Sequence, residues 1–231
     1  MCGRYTLRSR GKAKPYGVPE SQLPLLTPRY NIAPSQDVPV ILERKNGREM
    51  ALLKWGLVPS WSKNADADGG GLINARAETL ERKPSFAESF LKRRCLIPAD
   101  GFYEWKRSGK WKQPFFFQMK DESPFAFAGI WDKWQSGDAS ITSCAIITTT
   151  PNELLATIHD RMPVILTADA YDAWLRDDAD PRELKSLLAP YPAAAMKSFP
   201  VSTKVNSALV DEPQLVEPIE LKPEMTTGRL F

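Results

Sequence analysis

The sequence predicts an α+β fold, a single domain with a mainly antiparallel, barrel-like β-sheet core and a few peripheral helices. Two observations predict it. Segments rich in aromatic and β-branched residues recur through the middle of the chain between turn signals, and helix start signals are few. With 231 residues, no internal repeat and no low-complexity linker, residues 1–231 are expected to form one domain.

The first predicted strands form a hairpin. Residues 38–44 and 49–55 flank Asn46-Gly47, a dipeptide that tolerates the positive φ of a tight turn. The strands predicted after this hairpin cover residues 94–98, 101–106, 114–119, 125–132 and 141–149, and an apolar strand is expected over 163–166.

Three helices are predicted from capping boxes that begin at Ser85, Thr150 and Asp180, the last two with proline at the next position. A further helix is expected over 168–176. After Asp211, three prolines predict an extended or loosely attached C-terminal segment. The glycine-rich stretch 66–71 predicts a surface loop, either a mobile flap or a tolerated insertion.

The composition excludes several classes of protein. No apolar run of eighteen residues and no signal-peptide pattern occurs, so we expect a cytoplasmic protein without a membrane partner. The three cysteines form no C-x-x-C pair, and His159 is the only histidine. Neither a disulfide framework nor a metal site is therefore predicted, and we expect no cofactor.

The charge is distributed unevenly along the chain. Residues 1–120 hold 22 Lys and Arg against 11 Asp and Glu, a balance of +11, whereas residues 121–231 hold 9 against 17, a balance of −8. If the basic half forms one face, it would attract a polyanion such as nucleic acid. Folding that interleaves the two halves is the equally open alternative.

Cys2 is the residue with the most suggestive chemistry. Removal of Met1 would give it a free α-amine, with a pKa of about 8, next to a thiol with a pKa of about 8.5. The amine can condense with an aldehyde, and the thiol can then close a five-membered thiazolidine in an intramolecular step. By itself Cys2 is more simply a small residue after the start, so its interpretation depends on what accompanies it.

Three further residues are candidates for catalysis, each with a plain structural alternative. His159 lies at a helix-to-strand junction and can carry protons near neutral pH, or it is a hydrogen-bonded structural residue. Glu104 lies among aromatic residues on a predicted strand, where a partly apolar cleft would raise its pKa, or it forms a surface salt bridge. Asn74 can hold a nucleophile or an oxyanion, or it forms a turn.

Two tryptophans flank a bend in the segment 55–61. Either can belong to the core or provide a platform on which a base stacks. We expect Trp55 in the core and Trp61, which precedes a polar loop, at the surface.

Taken together, these segments resemble the SRAP family, the SOS response-associated peptidases or abasic site processing proteins. The resemblance covers nearly the whole chain in the expected order. The matching segments are 1–5, 30–34, 55–61, 73–79, 94–105, 125–131, 159–166 and 200–206. Position 62 is Ser, where some relatives carry a second aromatic residue.

The resemblance implies a function and a partner. Family members bind single-stranded DNA with an abasic site and crosslink an N-terminal cysteine to the ring-opened aldehyde as a thiazolidine, which shields the lesion. It also implies self-removal of Met1 and a lyase activity at abasic sites. We expect the protein to act as a monomer, and to associate with the nucleoid when bound to damaged DNA.

The resemblance also assigns roles to residues. Cys2 would be the nucleophile, Asn74 would orient it, Glu104 would handle protons during ring opening and Schiff-base formation, and His159 would assist proton transfer and reversal. Ile32 and Pro34 resemble a wedge that interrupts base stacking. The other expected DNA contacts are Arg4, Asn31, Trp61, Arg76, Thr148 and Arg161, of which the three arginines would bind phosphates.

Three rival functions remain on the sequence. An N-terminal-nucleophile amidohydrolase also begins Met-Cys-Gly, but Arg4 and the predicted hairpin at Asn46-Gly47 depart from that class. A peptidase would use Cys2, Glu104 and His159 for self-processing or for general proteolysis. A non-catalytic module would bind single-stranded DNA through the basic half alone.

Overall fold

A closed five-stranded barrel lies at the centre of the computed structural model, which describes residues 2–8, 16–65, 71–109 and 111–221, with the backbone alone for Pro24 and Ser108. Its strands follow one another around the barrel by hydrogen bonding. In that order they are β10 (Ala139–Thr149), β4 (Gly47–Trp55), β3 (Asp37–Arg44), β6 (Arg94–Ala99) and β9 (Phe125–Ser136), and β9 pairs with β10 to close the barrel. Only the β10–β4 contact among these is parallel.

Short strands extend the barrel at β10 and β9. β5 (Asn74–Arg76) pairs in parallel with β10, β11 (Met162–Pro163) pairs with β10, and β12 (Ile165–Leu166) pairs with β9. A second, antiparallel sheet packs beside the barrel. Its strands in spatial order are β13 (Met196–Pro200), β8 (Trp111–Met119), β7 (Gly101–Ser108), β1 (Tyr5–Leu7) and β2 (Arg29–Ile32).

The helices in the described residues are short and peripheral. The α-helices are α1 (Ala87–Lys92), α2 (Glu153–Ala156), α3 (Tyr171–Leu175) and α4 (Pro181–Ser186). The 3-10 helices are Glu20–Leu25, Ala77–Thr79, Ala168–Ala170, Ala193–Ala195, Thr203–Asn206 and Pro213–Val216. No helix within these ranges has the length and apolar character needed to cross a bilayer. The predicted fold class is confirmed, with a barrel core and few peripheral helices.

The predicted β3–β4 hairpin forms with its turn one residue earlier than expected. Arg44 faces Gly47, so the two-residue loop is Lys45-Asn46 and Gly47 begins β4. The left-handed backbone falls on Gly47, at φ 104°, and no left-handed conformation occurs at Asn46. The dipeptide therefore marked the hairpin correctly, because glycine accepts this φ without strain.

The helix caps only partly follow the prediction. Asp180 is the N-cap of α4, as predicted, and its side chain accepts from the Arg182 N–H. The cap expected at Thr150 is wrong, since Asn152 takes the position and accepts from the Leu155 N–H at 2.9 Å. The cap expected at Ser85 is also wrong, because α1 follows Phe86 without a side-chain cap. The helix expected over 168–176 divides into a 3-10 turn and α3.

The segment after Asp211 is packed through residue 221, so the loosely attached alternative is wrong there. Leu215 is fully buried, Val201 forms a bridge with Pro218, and the Ile219 N–H donates to the Pro200 carbonyl at 3.0 Å. Apolar side chains between the prolines are buried, which the spacing of the prolines does not predict. Residues 222–231 lie outside the described ranges.

Of the predicted glycine-rich loop, residues 66–70 lie outside the described residues and Gly71 lies within them. Gly71 has φ 82°, and a Cβ there would lie 2.4 Å from the Gly56 carbonyl oxygen. Glycine is therefore required where this loop rejoins the barrel, at the Leu57–Leu72 bridge.

Strand β7 carries side chains into two clusters. Phe102 packs in the main hydrophobic core, whereas Tyr103 packs in a smaller cluster with Phe116, Val201, Val205 and Leu215. Because side chains alternate along a strand, Glu104 follows Phe102 toward the main core. It is 2% exposed.

Candidate active site

The four predicted catalytic residues come together where the two sheets meet. Cys2 precedes β1 and Glu104 lies on β7, both in the second sheet, while Asn74 begins β5 on the barrel side. Asn74 Nδ2 donates to the Cys2 carbonyl oxygen at 2.9 Å. His159 follows α2, and its Nε2 lies 3.9 Å from Glu104 Oε2.

The Cys2 side chain is fully buried in this arrangement. Burial raises the pKa of the thiol, and the negative charge of Glu104 raises it further. The group is therefore a neutral thiol at physiological pH. To act as a nucleophile it must pass its proton to a base while it attacks.

Glu104 is suited to carry that proton. Desolvation by burial raises its pKa from 4.5 to about 7. The acid and the carboxylate are then present in comparable amounts near neutral pH, where a group serves best as general acid and general base.

His159 is held in one orientation. The Arg161 backbone N–H donates to Nδ1 at 3.0 Å, a contact that favours the neutral tautomer with its proton on Nε2, the nitrogen that faces Glu104. Burial lowers the pKa of His159, so the neutral form predominates at pH 7. The Asp160 carboxylate lies 2.9 Å from Nδ1 and would stabilise the imidazolium when it forms.

Three of the predicted DNA-contact residues form a group beside β5. Arg76 is exposed at the end of that strand and pairs in register with Thr148, which is buried. Arg161 donates to both Glu78 carboxylate oxygens, at 2.7 and 2.9 Å, and to the Thr148 carbonyl at 2.7 Å. Within the described residues, Thr148 Oγ1 has no hydrogen-bond partner.

Arg4 and Asn31 instead form internal contacts. Arg4 donates to Asn31 Oδ1 at 3.0 Å and to the carbonyls of Val205 and Asn206. Asn31 is 1% exposed, and its amide donates to the carbonyls of Val205, Ser207 and Val210. In this structure both residues tie the N-terminal strands to the segment 205–210.

We expect Asn31→Ala to lower the free energy of unfolding by about 2 kcal/mol, because it leaves buried polar partners unsatisfied. Chemical denaturation checks this, with the exposed turn variant Asn46→Ala as a control that should change little. Unchanged stability together with weaker DNA binding would contradict a structural role for Asn31.

The predicted wedge is only partly accessible. Ile32 is fully buried in the main core and Pro34 is half-buried, so Pro34 is the more accessible of the two side chains. β2 turns the Ile32 side chain inward because residues alternate across the sheet. Trp61 is 63% exposed and Trp55 is fully buried, as expected.

A cleft of about 440 Å³ opens beside Glu104 and His159. Sequence reasoning did not single out the other residues that line it, Trp105, Arg107, Lys112 and Asn206. The available signal was the run of basic and aromatic residues over 105–112. Strand pairing alone brings that run next to the site.

The fold and the site together define a class: β-barrel proteins with a second sheet, in which a cysteine close to the N-terminus is grouped with an asparagine, a buried carboxylate and a histidine. Residues 1–208 match the model of the family described as SOS response associated peptidase (SRAP). The chain belongs to this family.

Similar proteins extend this result. A Bacillus subtilis protein named abasic site processing protein YoqW is 44% identical over 226 residues, covering 94% of this chain and 99% of its own length. Abasic site processing protein YedK of Escherichia coli is 32% identical, covering 83% and 85%. A solved structure of a Bacteroides thetaiotaomicron protein has a TM-score of 0.82 at 30% identity, covering 94% of this chain and all of its own.

Proposed function

We propose that the protein processes abasic sites in single-stranded DNA by forming a covalent thiazolidine crosslink through Cys2 after Met1 is removed. The observation that carries the proposal is the grouping of Cys2 with Asn74, Glu104 and His159 at the junction of the two sheets. Relatives named abasic site processing proteins support the choice of DNA lesion. Met1 itself lies outside the described residues.

The proposed reaction balances with the loss of one water. The ring-opened abasic sugar presents an aldehyde, to which the Cys2 α-amine adds, and dehydration gives an imine. The thiol sulfur then attacks the imine carbon while the thiol proton passes to nitrogen, which closes the five-membered ring. Both nucleophiles belong to one residue, so the second step gains the high effective molarity of an intramolecular reaction.

The neighbouring residues would supply orientation and protons. Asn74 fixes the Cys2 main chain through its carbonyl. Glu104, with a pKa near 7, donates a proton to open the sugar ring and to dehydrate the carbinolamine, and during ring closure it relays the thiol proton to nitrogen. His159 presents an N–H toward Glu104 and would assist these transfers and the reverse reaction.

The DNA strand would run past the exposed groups of the site. Arg76 and Arg161 would bind phosphates, with Thr148 between them in the β10 register, and Trp61 would stack with a base. Pro34 is the accessible part of the proposed wedge. Arg4 and Asn31 would act mainly by holding this surface together.

A denaturing gel tests the proposal. The protein without Met1 is incubated with single-stranded DNA that carries one abasic site, and a stable slow band is expected. DNA with a tetrahydrofuran analogue, which has no aldehyde, is the matched control and should give none. A wild-type protein shown by mass spectrometry to lack Met1, yet without a band on the abasic DNA, would contradict the proposal.

Glu78 is expected to compete with DNA for Arg161, since it holds both guanidinium nitrogens in the free protein. We predict that Glu78→Gln tightens noncovalent binding of tetrahydrofuran DNA about threefold, because one charge opposing the phosphates is removed. Fluorescence anisotropy measures this, with Glu183→Gln as an exposed carboxylate control. Weaker binding would instead mean that Glu78 is needed to orient Arg161.

Self-removal of Met1 by the same residues is compatible with this chemistry, and we include it in the proposal together with a lyase activity at abasic sites. The amidohydrolase alternative is less well supported, because Asn46 lies in the β3–β4 hairpin turn. We further propose that the protein works as a monomer in the cytoplasm, at the nucleoid when DNA is damaged.

A further inference from the structure

The hairpin of β7 and β8 carries a pair of cations that the proposed reaction leaves without a role. Arg107 on β7 lies directly opposite Lys112 on β8. Both side chains are exposed, and within the described ranges neither forms an ion pair. Like charges directly opposite each other on neighbouring strands destabilise a sheet. The pair therefore favours an anion between or beside the two side chains.

The same two cations line the cleft of about 440 Å³ that also contains Glu104 and His159. An anion held there would thus lie beside the reacting sugar. The other end of the cleft is built firmly, because Trp105 Nε1 donates to Asn206 Oδ1 at 2.7 Å and Arg4 donates to the Asn206 carbonyl. The charge of Arg107 reaches the site as well, since it adds to burial in lowering the pKa of His159.

The aromatic residues of the hairpin indicate which anion fits. Trp105 lines the cleft and is partly exposed, and Trp111, next to Lys112, is 73% exposed. Cationic grooves with exposed aromatic side chains are typical of surfaces that follow a single-stranded backbone. A phosphodiester with an adjacent base satisfies both kinds of side chain.

We propose that Arg107 and Lys112 form a phosphate-binding subsite for the DNA backbone next to the abasic sugar, a role that rests on the proposed function. The β7–β8 hairpin then holds the strand from the second sheet, whereas Arg76 and Arg161 hold it from the barrel. Binding of the strand at both places would fix the lesion sugar over Cys2 and Glu104.

Noncovalent binding of tetrahydrofuran DNA, measured by fluorescence anisotropy across a salt series, tests the subsite. We expect Arg107→Ala with Lys112→Ala to weaken binding about threefold to tenfold and to make the slope of log affinity against log salt shallower by about one. Lys45→Ala, an exposed cation in the β3–β4 turn, is the matched control. A double variant that behaves like this control overturns the proposal.

A second arm locates the phosphate. Neutral methylphosphonate replaces one phosphodiester at a time on either side of the tetrahydrofuran. Wild type should lose affinity at one adjacent position, and the double variant should be insensitive at that position alone. Equal sensitivity of the two proteins at every position contradicts a specific subsite.

Two further measurements separate the subsite from effects on protein stability and from the proposed crosslinking function. The double variant is expected to melt no lower than wild type, because a repulsive cross-strand pair is removed. Since tetrahydrofuran DNA cannot crosslink, this experiment is independent of the covalent reaction. Failure of wild type to crosslink abasic DNA would refute the proposed function, whereas normal crosslinking with unchanged double-variant binding would refute the subsite alone.

Discussion

Cys2→Ala is expected to reduce the stable crosslink to abasic single-stranded DNA by at least about 100-fold, because the ring cannot close without the thiol. The variant still has an α-amine once Met1 is removed, so the imine can form. Borohydride, which reduces an imine to a stable amine, should therefore trap a band with the variant. Quantified denaturing gels with and without borohydride measure both effects.

Cys95→Ala is the matched control for this loss. Cys95 is also a fully buried thiol, but it lies on β6 in the barrel and contributes nothing to the proposed chemistry. Its crosslinking yield should stay near that of wild type wherever the variant is folded. A stable band that persists in Cys2→Ala would assign the nucleophile to another residue.

Glu104→Gln is expected to slow crosslinking by roughly 10²-fold to 10⁴-fold, the usual contribution of a positioned general acid and base. Glutamine keeps the size and burial of the side chain but cannot exchange a proton. Single-turnover rates at saturating DNA measure the effect without a contribution from binding. A rate within about twofold of wild type would exclude Glu104 from the proton transfers.

The pH dependence gives an independent readout of Glu104. Its pKa is raised to about 7 by burial, so the acid form is lost as pH rises through 7, and the wild-type rate should fall there if ring opening or dehydration is limiting. Glu104→Gln should lack that decline.

Stability should change in the same pH range. Because folding raises the pKa of Glu104 above 4.5, its contribution to stability is complete below about pH 4.5 and is lost as pH rises toward 7. Denaturation of Glu104→Gln should show a smaller loss over that interval.

The strands of this fold could be predicted well because they carry their own signals. Alternating and β-branched residues located β3, β4 and β6 to β10, and Gly47 marked the hairpin. The closure of the barrel could not be predicted, since the parallel contact between β10 and β4 joins segments far apart in the chain. The apolar strand expected over 163–166 is divided into β11 and β12, and β5 carries too few residues for a period to be visible.

The catalytic residues of the site could be predicted from the sequence, but the exposure of its DNA-contact residues could not. Residue types and the family resemblance selected Cys2, Asn74, Glu104 and His159, and the structure brings these four residues together. The sequence did not indicate which of the expected DNA-contact residues are buried, and Ile32 and Asn31 are both buried. The cleft beside Glu104 also depends on the pairing of β7 with β8, which the sequence does not state.

Cys2 is proposed to form a thiazolidine with the abasic aldehyde once Met1 is removed. Intact mass spectrometry of the crosslink tests it most directly, followed by peptide mapping before and after borohydride treatment. The expected crosslink has the mass of the protein without Met1 plus the DNA minus one water, maps to Cys2 and is unchanged by borohydride. A crosslink that retains Met1, maps to another residue or gains two hydrogens on reduction would contradict it.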